Sequence, residues 1–473
     1  MTHAAYKSYT PDENFLSPLT YYILFVLPLR LIKKIDTMKK VLFFLAFAAA
    51  ALCAFGQLAP SGDIHEAATR AARYFIARYP DVGAKSYVGG KERNSKIWTR
   101  SVFYEGLMNL YREDGSDEWL DYALDWGEYH KYVSSSDTEA KSHNADYQCC
   151  GQTYMQLYLL DPSHEERMSH IKMRIDNMIA TGRNNFWYWV DAIQMSMPVM
   201  ALLGATLDDE SYYDAMHDLY MYSRDSQGGS KKGGGKPLFN TVTGLWYRDY
   251  SADPPYKDVI EPDKDCYWSR GNGWAYMALA RVMQFTPEDM KYRQQYLDDF
   301  LLMSRGLKEC QKSDGYWGVS LHAPANFGPV GSTGPEITGT SLFVGGMAWG
   351  VREGLLPAED YLPAVISGWE AMAAACHPDG KIGYIQGTGS KPEDGAAITY
   401  DTEPDFEDFG VGCWLWGAAE VYALACQLEQ QSGIEEVEAT VEGDNKYYDL
   451  MGREVCRPVN GNIYIINHRL IRY

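Results

Sequence analysis

Between about residues 60 and 430 the chain alternates two kinds of helical segment that differ in which faces are apolar. One kind is amphipathic and charged, with apolar residues returning every three or four positions: Ile64 to Tyr79, Asp117 to Val133, His164 to Ala180, Glu210 to Asp225, Pro287 to Cys310 and Glu359 to Cys376. The other is apolar nearly all round and rich in Gly, Ala, Met and aromatics: Trp98 to Tyr111, Asp146 to Leu160, Val190 to Gly204, Gly273 to Phe285, Gly339 to Gly350 and Gly410 to Ala425. A helix apolar on one stripe keeps its other face in water, whereas one apolar on every side is enclosed by protein. Strict alternation predicts six helical hairpins closing as an inner ring of helices within an outer ring, an all-α (α/α)6 toroid. The insertions between hairpins differ in length, so the repeat is structural rather than a fixed sequence period.

In such a ring all inner helices run the same way, so the loops entering them open on one face. Polar residues near those entries are expected to converge there: Trp98 and Arg100; His143, Asn144 and Asp146; Trp189 and Asp191; Trp268, Arg270 and Asn272; Glu336 and Thr338; and the acidic loop Asp401 to Asp408. The amino ends of the inner helices add positive dipole at that mouth, which favours an anionic ligand group. In Trp268-Ser269-Arg270-Gly271-Asn272-Gly273-Trp274 an arginine lies between two indoles. Indole faces stack on a sugar ring, a guanidinium forks a carboxylate, and glycine lets the backbone come close, so the stretch suits a planar anionic sugar. Asp191 brings an acid–base group to an apolar helix start, where desolvation raises a carboxyl towards a working pKa. Taken singly, each residue also has a plain structural account, with Trp268 and Trp274 as core aromatics and Asp191 as a helix cap.

Composition narrows the function classes. A formal charge of -20 argues against a nucleic-acid or anionic-membrane surface, which needs clustered Lys and Arg, so an acidic substrate must meet a local basic spot. The cysteines show neither a disulfide framework nor CxxC spacing, and Cys149, Cys150, Cys413 and Cys426 read as small buried hydrophobes. The loop Gly228 to Pro237 lacks the Gly-x4-Gly-Lys-Ser/Thr pattern of a phosphate loop and reads as a flexible insertion. No required metal is expected, because neither His143 with Asp146 nor the carboxylates from Asp401 to Asp408 have the ligand set of a zinc or EF-hand site.

At the amino end, Met38-Lys39-Lys40 followed by an apolar run and Ala54-Phe55-Gly56 reads as a signal peptide over 38–56, and residues 1–37 as an upstream extension from a misplaced start, the alternative being a short membrane-associated segment at the apolar run Tyr21 to Leu31. Leu52 before Cys53 favours a soluble exported product, periplasmic or extracellular, over a lipid anchor. The mature chain, with a catalytic domain over 57–436, is then expected to have no membrane span. Residues 437–473 change texture to short strand-like runs between turn residues, too few for an independent core. They resemble the terminal tails of many exported Bacteroidetes proteins.

The runs His143 to Tyr154, Trp189-Val190-Asp191, Trp268 to Trp274 and Phe409-Gly410-Val411-Gly412 together resemble the unsaturated glucuronyl and rhamnogalacturonyl hydrolases, glycoside hydrolase families 88 and 105. The resemblance covers roughly residues 60 to 430, and Asn272-Gly273 is more like family 105. It implies an (α/α)6 toroid, no cofactor, and a partner oligosaccharide bearing a 4,5-unsaturated uronic acid at its non-reducing end, of the pectic rhamnogalacturonan type. It implies hydration: C4 of the double bond is protonated, water adds at C5, and the hemiketal opens and releases the glycosidic link. By resemblance Asp191 is the acid–base group, Asp146 holds ring hydroxyls and influences Asp191, Arg270 with Trp268 and Trp274 shapes the uronate site, and Trp98 offers a further stacking face. Where the family often places a His after the third hairpin, this chain has none between His217 and His322, and Arg248 is the nearest candidate.

Three other functions fit the same inventory. A conventional inverting glycosidase would use Asp146 and Asp191 as separated acid and base. A sugar epimerase, on the same architecture, would want paired histidines at the pocket floor, whereas His143 is the one histidine placed near the mouth. A non-catalytic sugar-binding protein would keep the aromatics and Arg without needing Asp191.

Overall fold

The computed structural model describes residues 57–88, 91–134, 143–226, 237–249, 265–323, 328–332, 335–401, 408–437, 463–466 and 469–472. The signal-like segment, residues 1–37, the glycine-rich loop up to Lys236 and most of the acidic loop, 402–407, lie outside them.

Twelve α-helices are present among the described residues. The outer set is α1 (Ser61–Arg78), α3 (Asp117–Tyr129), α5 (Glu166–Ile179), α7 (Glu210–Met221), α9 (Arg293–Cys310) and α11 (Ala358–Ala375). The inner set is α2 (Trp98–Asp114), α4 (Gly151–Leu160), α6 (Asp191–Leu207), α8 (Ser269–Phe285), α10 (Ile337–Arg352) and α12 (Asp408–Val437). Each inner helix packs on the next, and α12 packs back on α2, which closes the ring. Each of α2 to α10 also packs on the outer helix that follows it, while α12 takes α1 as its outer partner, so the two ends of the helical region lock together. The expected (α/α)6 toroid is the fold that forms.

The all-round apolar character of the inner helices is explained by this enclosure: every residue of α6 from Asp191 to Gly204 is buried. Small residues set how closely the inner helices approach. A Cβ at Gly106 would lie 2.3 Å from the carbonyl oxygen of Gly412, so α2 and α12 meet backbone to backbone only because both positions are glycine. By length and composition Asp408–Gln431 could cross a membrane, but that window is mostly buried within the protein.

The starts of several inner helices differ from those expected. The segment from Asp146 does not begin as α-helix: Ala145–Tyr147 form a 3-10 turn, with the Asn144 Oδ1 accepting from the Asp146 N–H at 2.9 Å, and α4 starts only at Gly151. Inner helices α8, α10 and α12 begin two to four residues before the glycines at which the pattern placed them, so their polar entry residues belong to the first turn rather than to loops. Short hairpins lie in the connections: β1 (Ser86–Val88) with β2 (Lys91–Arg93), and β3 (Phe239–Asn240) with β4 (Leu245–Trp246). In the tail, β5 (Ile463–Ile466) pairs antiparallel with β6 (Arg469–Arg472).

Candidate active site

Asp191 is the first residue of α6, and Asp146 sits in the 3-10 turn packed against that helix. Burial and the neighbouring negative charge of Asp191 push the Asp146 carboxyl up to about 7, against the opposing pull of Arg248 and Arg93. Two carboxylates that share a site cannot both ionise cheaply, and Asp146 is a member of this pair whose proton is held towards neutrality.

Arg248 follows β4, and its main-chain carbonyl accepts from the Val190 N–H at 2.9 Å, which seats it against the start of α6. Its Nε donates to Asp191 Oδ2 at 3.0 Å, and its Nη1 pairs with Asp249. Asp191 Oδ1 has no partner among the described residues, so one oxygen of the carboxylate is open while the other is fixed. The Asp191 and Arg248 side chains retain 12% and 21% exposure, which leaves both reachable from the mouth.

Trp98, the first residue of α2, is also partly exposed. It meets Trp274 edge to face with centroids 6.3 Å apart and Phe409 at 5.4 Å. At the rim, His143 packs on Phe186 at 4.8 Å, and Arg183 covers the Phe186 ring at 5.1 Å. Trp189 is buried beside Tyr188. The structure thus gathers Trp98, Asp146, Asp191 and Arg248 at the amino ends of neighbouring inner helices, with His143 nearby in the turn.

Other residues expected at the mouth point elsewhere. Arg270 is 1% exposed, and its Nη1 and Nη2 donate to the carbonyls of Gln386 and Gly387 at 2.7 and 2.8 Å. Its guanidinium is sandwiched between Trp268 (4.7 Å) and Phe409 (4.8 Å), so it anchors the 386–387 loop rather than presenting a free fork to a uronate. Trp268 is buried against Val319 and Ile398 and donates to Gln386 Oε1 at 2.9 Å. Asn272 is fully buried and bonds Trp246 through both its amide groups, which fastens β4, and with it Arg248, to the start of α8. Trp274 is fully buried behind Trp98. Glu336 caps α10, accepting from the N–H groups of Thr338 and Gly339 at 2.9 and 2.8 Å, while the Thr338 hydroxyl bonds the same carboxylate. Arg100 turns outward, pairs with Asp408 at 2.8 Å and lies over Tyr79 at 4.2 Å. These residues build the wall from behind, because a residue in the first turn of an inner helix has as many directions facing its neighbours as facing the mouth.

Sequence reasoning passed over Glu105. It is fully buried on α2, accepts from Cys149 Sγ at 3.0 Å and from Gln194 Nε2 at 2.7 Å, and burial pushes its carboxyl up to about 7. A lone Glu in the middle of an apolar inner helix was the available signal. Cys149 is correspondingly more than a passive hydrophobe.

Residues 67–425 match the profile of Glycosyl Hydrolase Family 88. An unsaturated 3S-rhamnoglycuronyl hydrolase of Formosa agariphila is 29% identical over 345 residues, covering 69% of this chain and 84% of that protein. A glycosyl hydrolase family 88 structure from Bacteroides vulgatus superposes with a TM-score of 0.67 at 29% identity, covering 77% of this chain and 100% of that one. A structure described as a polysaccharide lyase gives a TM-score of 0.64 at 27% identity, covering 81% and 99% of the two chains.

Proposed function

Because the chain belongs to Glycosyl Hydrolase Family 88, which with family 105 forms the unsaturated uronyl hydrolases, we propose that it removes a 4,5-unsaturated uronic acid from a rhamnose-containing oligosaccharide by hydrating the double bond. The rhamnoglycuronyl description of the Formosa relative supports the choice of sugar. The observation that carries the chemistry is the unequal carboxyl pair, one member holding a proton near neutrality and the other ion-paired with an open oxygen.

In this reading Asp146 delivers its proton to C4, and the Asp191 carboxylate takes a proton from the water that adds at C5. Proton transfer from Asp191 back to Asp146 resets the pair, so atoms and charge balance over a cycle. This divides between two residues the work that the resemblance assigns to Asp191 alone. Arg248, a permanent cation where the family often has His, draws the uronate carboxylate to the mouth, with the amino end of α6 adding its dipole. Trp98 supplies the stacking face. The signal-like sequence over 38–56 supports an exported location, where fragments of polysaccharides cut by lyases accumulate. A panel of unsaturated disaccharides differing only in the second sugar tests the substrate assignment: fastest turnover is expected with rhamnose, and equal or faster turnover with galactosamine or glucose contradicts it.

A further inference from the structure

We propose that Glu105 is a positioning residue that sets the separation of Asp146 and Asp191 by clamping the residue three positions after each. The proposal rests on the assignment of those two carboxylates to the reaction. Cys149 follows Asp146 by three residues and Gln194 follows Asp191 by three, about one turn deeper into the ring in each case. Both donate to the one Glu105 carboxylate, at 3.0 Å to Oε1 and 2.7 Å to Oε2. A single side chain on α2 therefore joins the two segments that carry the pair, directly beneath it.

The clamp is itself held. Gln152 Nε2 on α4 donates to the Gln194 carbonyl at 2.8 Å, and Arg281 Nε on α8 donates to Gln152 Oε1 at 3.0 Å. Four inner helices, α2, α4, α6 and α8, thus meet in one buried polar network. The charged and titratable groups facing Glu105 are Arg281 from α8, Cys149 from the turn before α4 and Cys413 from α12, and Arg281 offsets the cost of burying its charge. Because Glu105 only accepts in this arrangement, the network fits its ionised form, in which both oxygens are free to receive a donor. A polar network that served stability alone has no reason to attach at equivalent positions below both members of the pair.

The test compares Glu105→Gln, Cys149→Ala, Gln194→Met and the conservative Cys149→Ser with wild type. Turnover of an unsaturated disaccharide is followed between pH 5 and 9, and the carboxyl band that disappears in Asp146→Asn is titrated by infrared spectroscopy. Glu105→Gln is expected to lower kcat by about tenfold or more with KM within about twofold. As the pair relaxes apart, the Asp146 titration should move down by about half a unit or more. Cys149→Ala should move both readings in the same direction, and Cys149→Ser should restore them. Folded Glu105→Gln with wild-type kcat and an unmoved Asp146 titration overturns the proposal; if that variant does not fold, Cys149→Ala and Gln194→Met decide in its place by the same two readings. Wild type inactive on every unsaturated substrate would refute the catalytic assignment instead, and the infrared titration would still show whether Glu105 governs the pair.

Discussion

Arg248 donates from Nε to Oδ2 of Asp191 at 3.0 Å, so a cation that never titrates is fixed to one member of the carboxyl pair while the other member holds its proton to about pH 7. The same guanidinium pulls the Asp146 pKa down. Replacing Arg248 by Gln removes that pull, so Asp146 should keep its proton to higher pH and the alkaline limb of kcat/KM should move upward. kcat/KM at the optimum should fall by about 10–100-fold, as for loss of a charge-assisted contact to an anionic substrate. A limb that stays in place or moves to lower pH removes Arg248 from the electrostatics of the pair.

The division of labour between the two carboxyls separates Asp191→Asn from Asp146→Asn. Each should lower kcat by about 10²–10⁴-fold, the usual contribution of acid–base catalysis. Only Asp191→Asn also removes the negative charge that raises Asp146, so the residual activity of that variant should lose its alkaline limb at lower pH than wild type. If Asp146→Asn instead raises KM strongly while keeping most of kcat, Asp146 is a hydroxyl-binding group and Asp191 acts alone.

The raised Asp146 also predicts how stability varies with pH. A carboxyl at about 7 in the folded state and about 3.9 in the unfolded chain is raised on folding, so its contribution is fully present below pH ~4 and is lost as pH rises through 7. Three units correspond to roughly 4 kcal/mol as an upper figure. Asp146→Asn should therefore lose less thermal stability than wild type between pH 4 and pH 8 and be the more stable protein at pH 8. Parallel Tm curves for the two proteins would contradict the shift.

Arg270 distinguishes a wall residue from a ligand contact. A lysine in its place has no fork to reach both the Gln386 and Gly387 carbonyls, so Arg270→Lys should destabilise the fold by about 2 kcal/mol, seen as a lower Tm. A raised KM with an unchanged Tm would return Arg270 to the uronate site.

Much of this was legible in the sequence for physical reasons. Enclosure demands apolar residues on every helix face, and that demand shows directly in the segments around Val190 to Gly204 and Gly339 to Gly350, so ring closure followed from alternation alone. What the pattern lacks is direction within a helical turn. Trp98 and Arg100 are two residues apart on α2, yet one borders the mouth and the other turns back to Asp408. The partners that decide such cases are remote: the carbonyls that receive Arg270 lie 116 and 117 residues along the chain, in a loop whose own sequence carries no sign of them. Residue type misled for the same reason, since Trp, Arg and Asn serve a sugar pocket and a buried wall equally well. Glu105 was visible as a charge out of place in an apolar helix, but only the fold shows that it reaches both Cys149 and Gln194.

The most direct test of the account is to incubate the protein with an unsaturated uronyl-rhamnose disaccharide while recording the ultraviolet absorbance of the ene-carboxylate and the release of reducing sugar together. Hydration predicts that absorbance disappears in step with rhamnose release, and that Asp191→Asn does neither. Rhamnose released with the chromophore intact would establish ordinary hydrolysis by the carboxyl pair, and new absorbance generated from an intact saturated polysaccharide would establish a lyase; either result contradicts the mechanism.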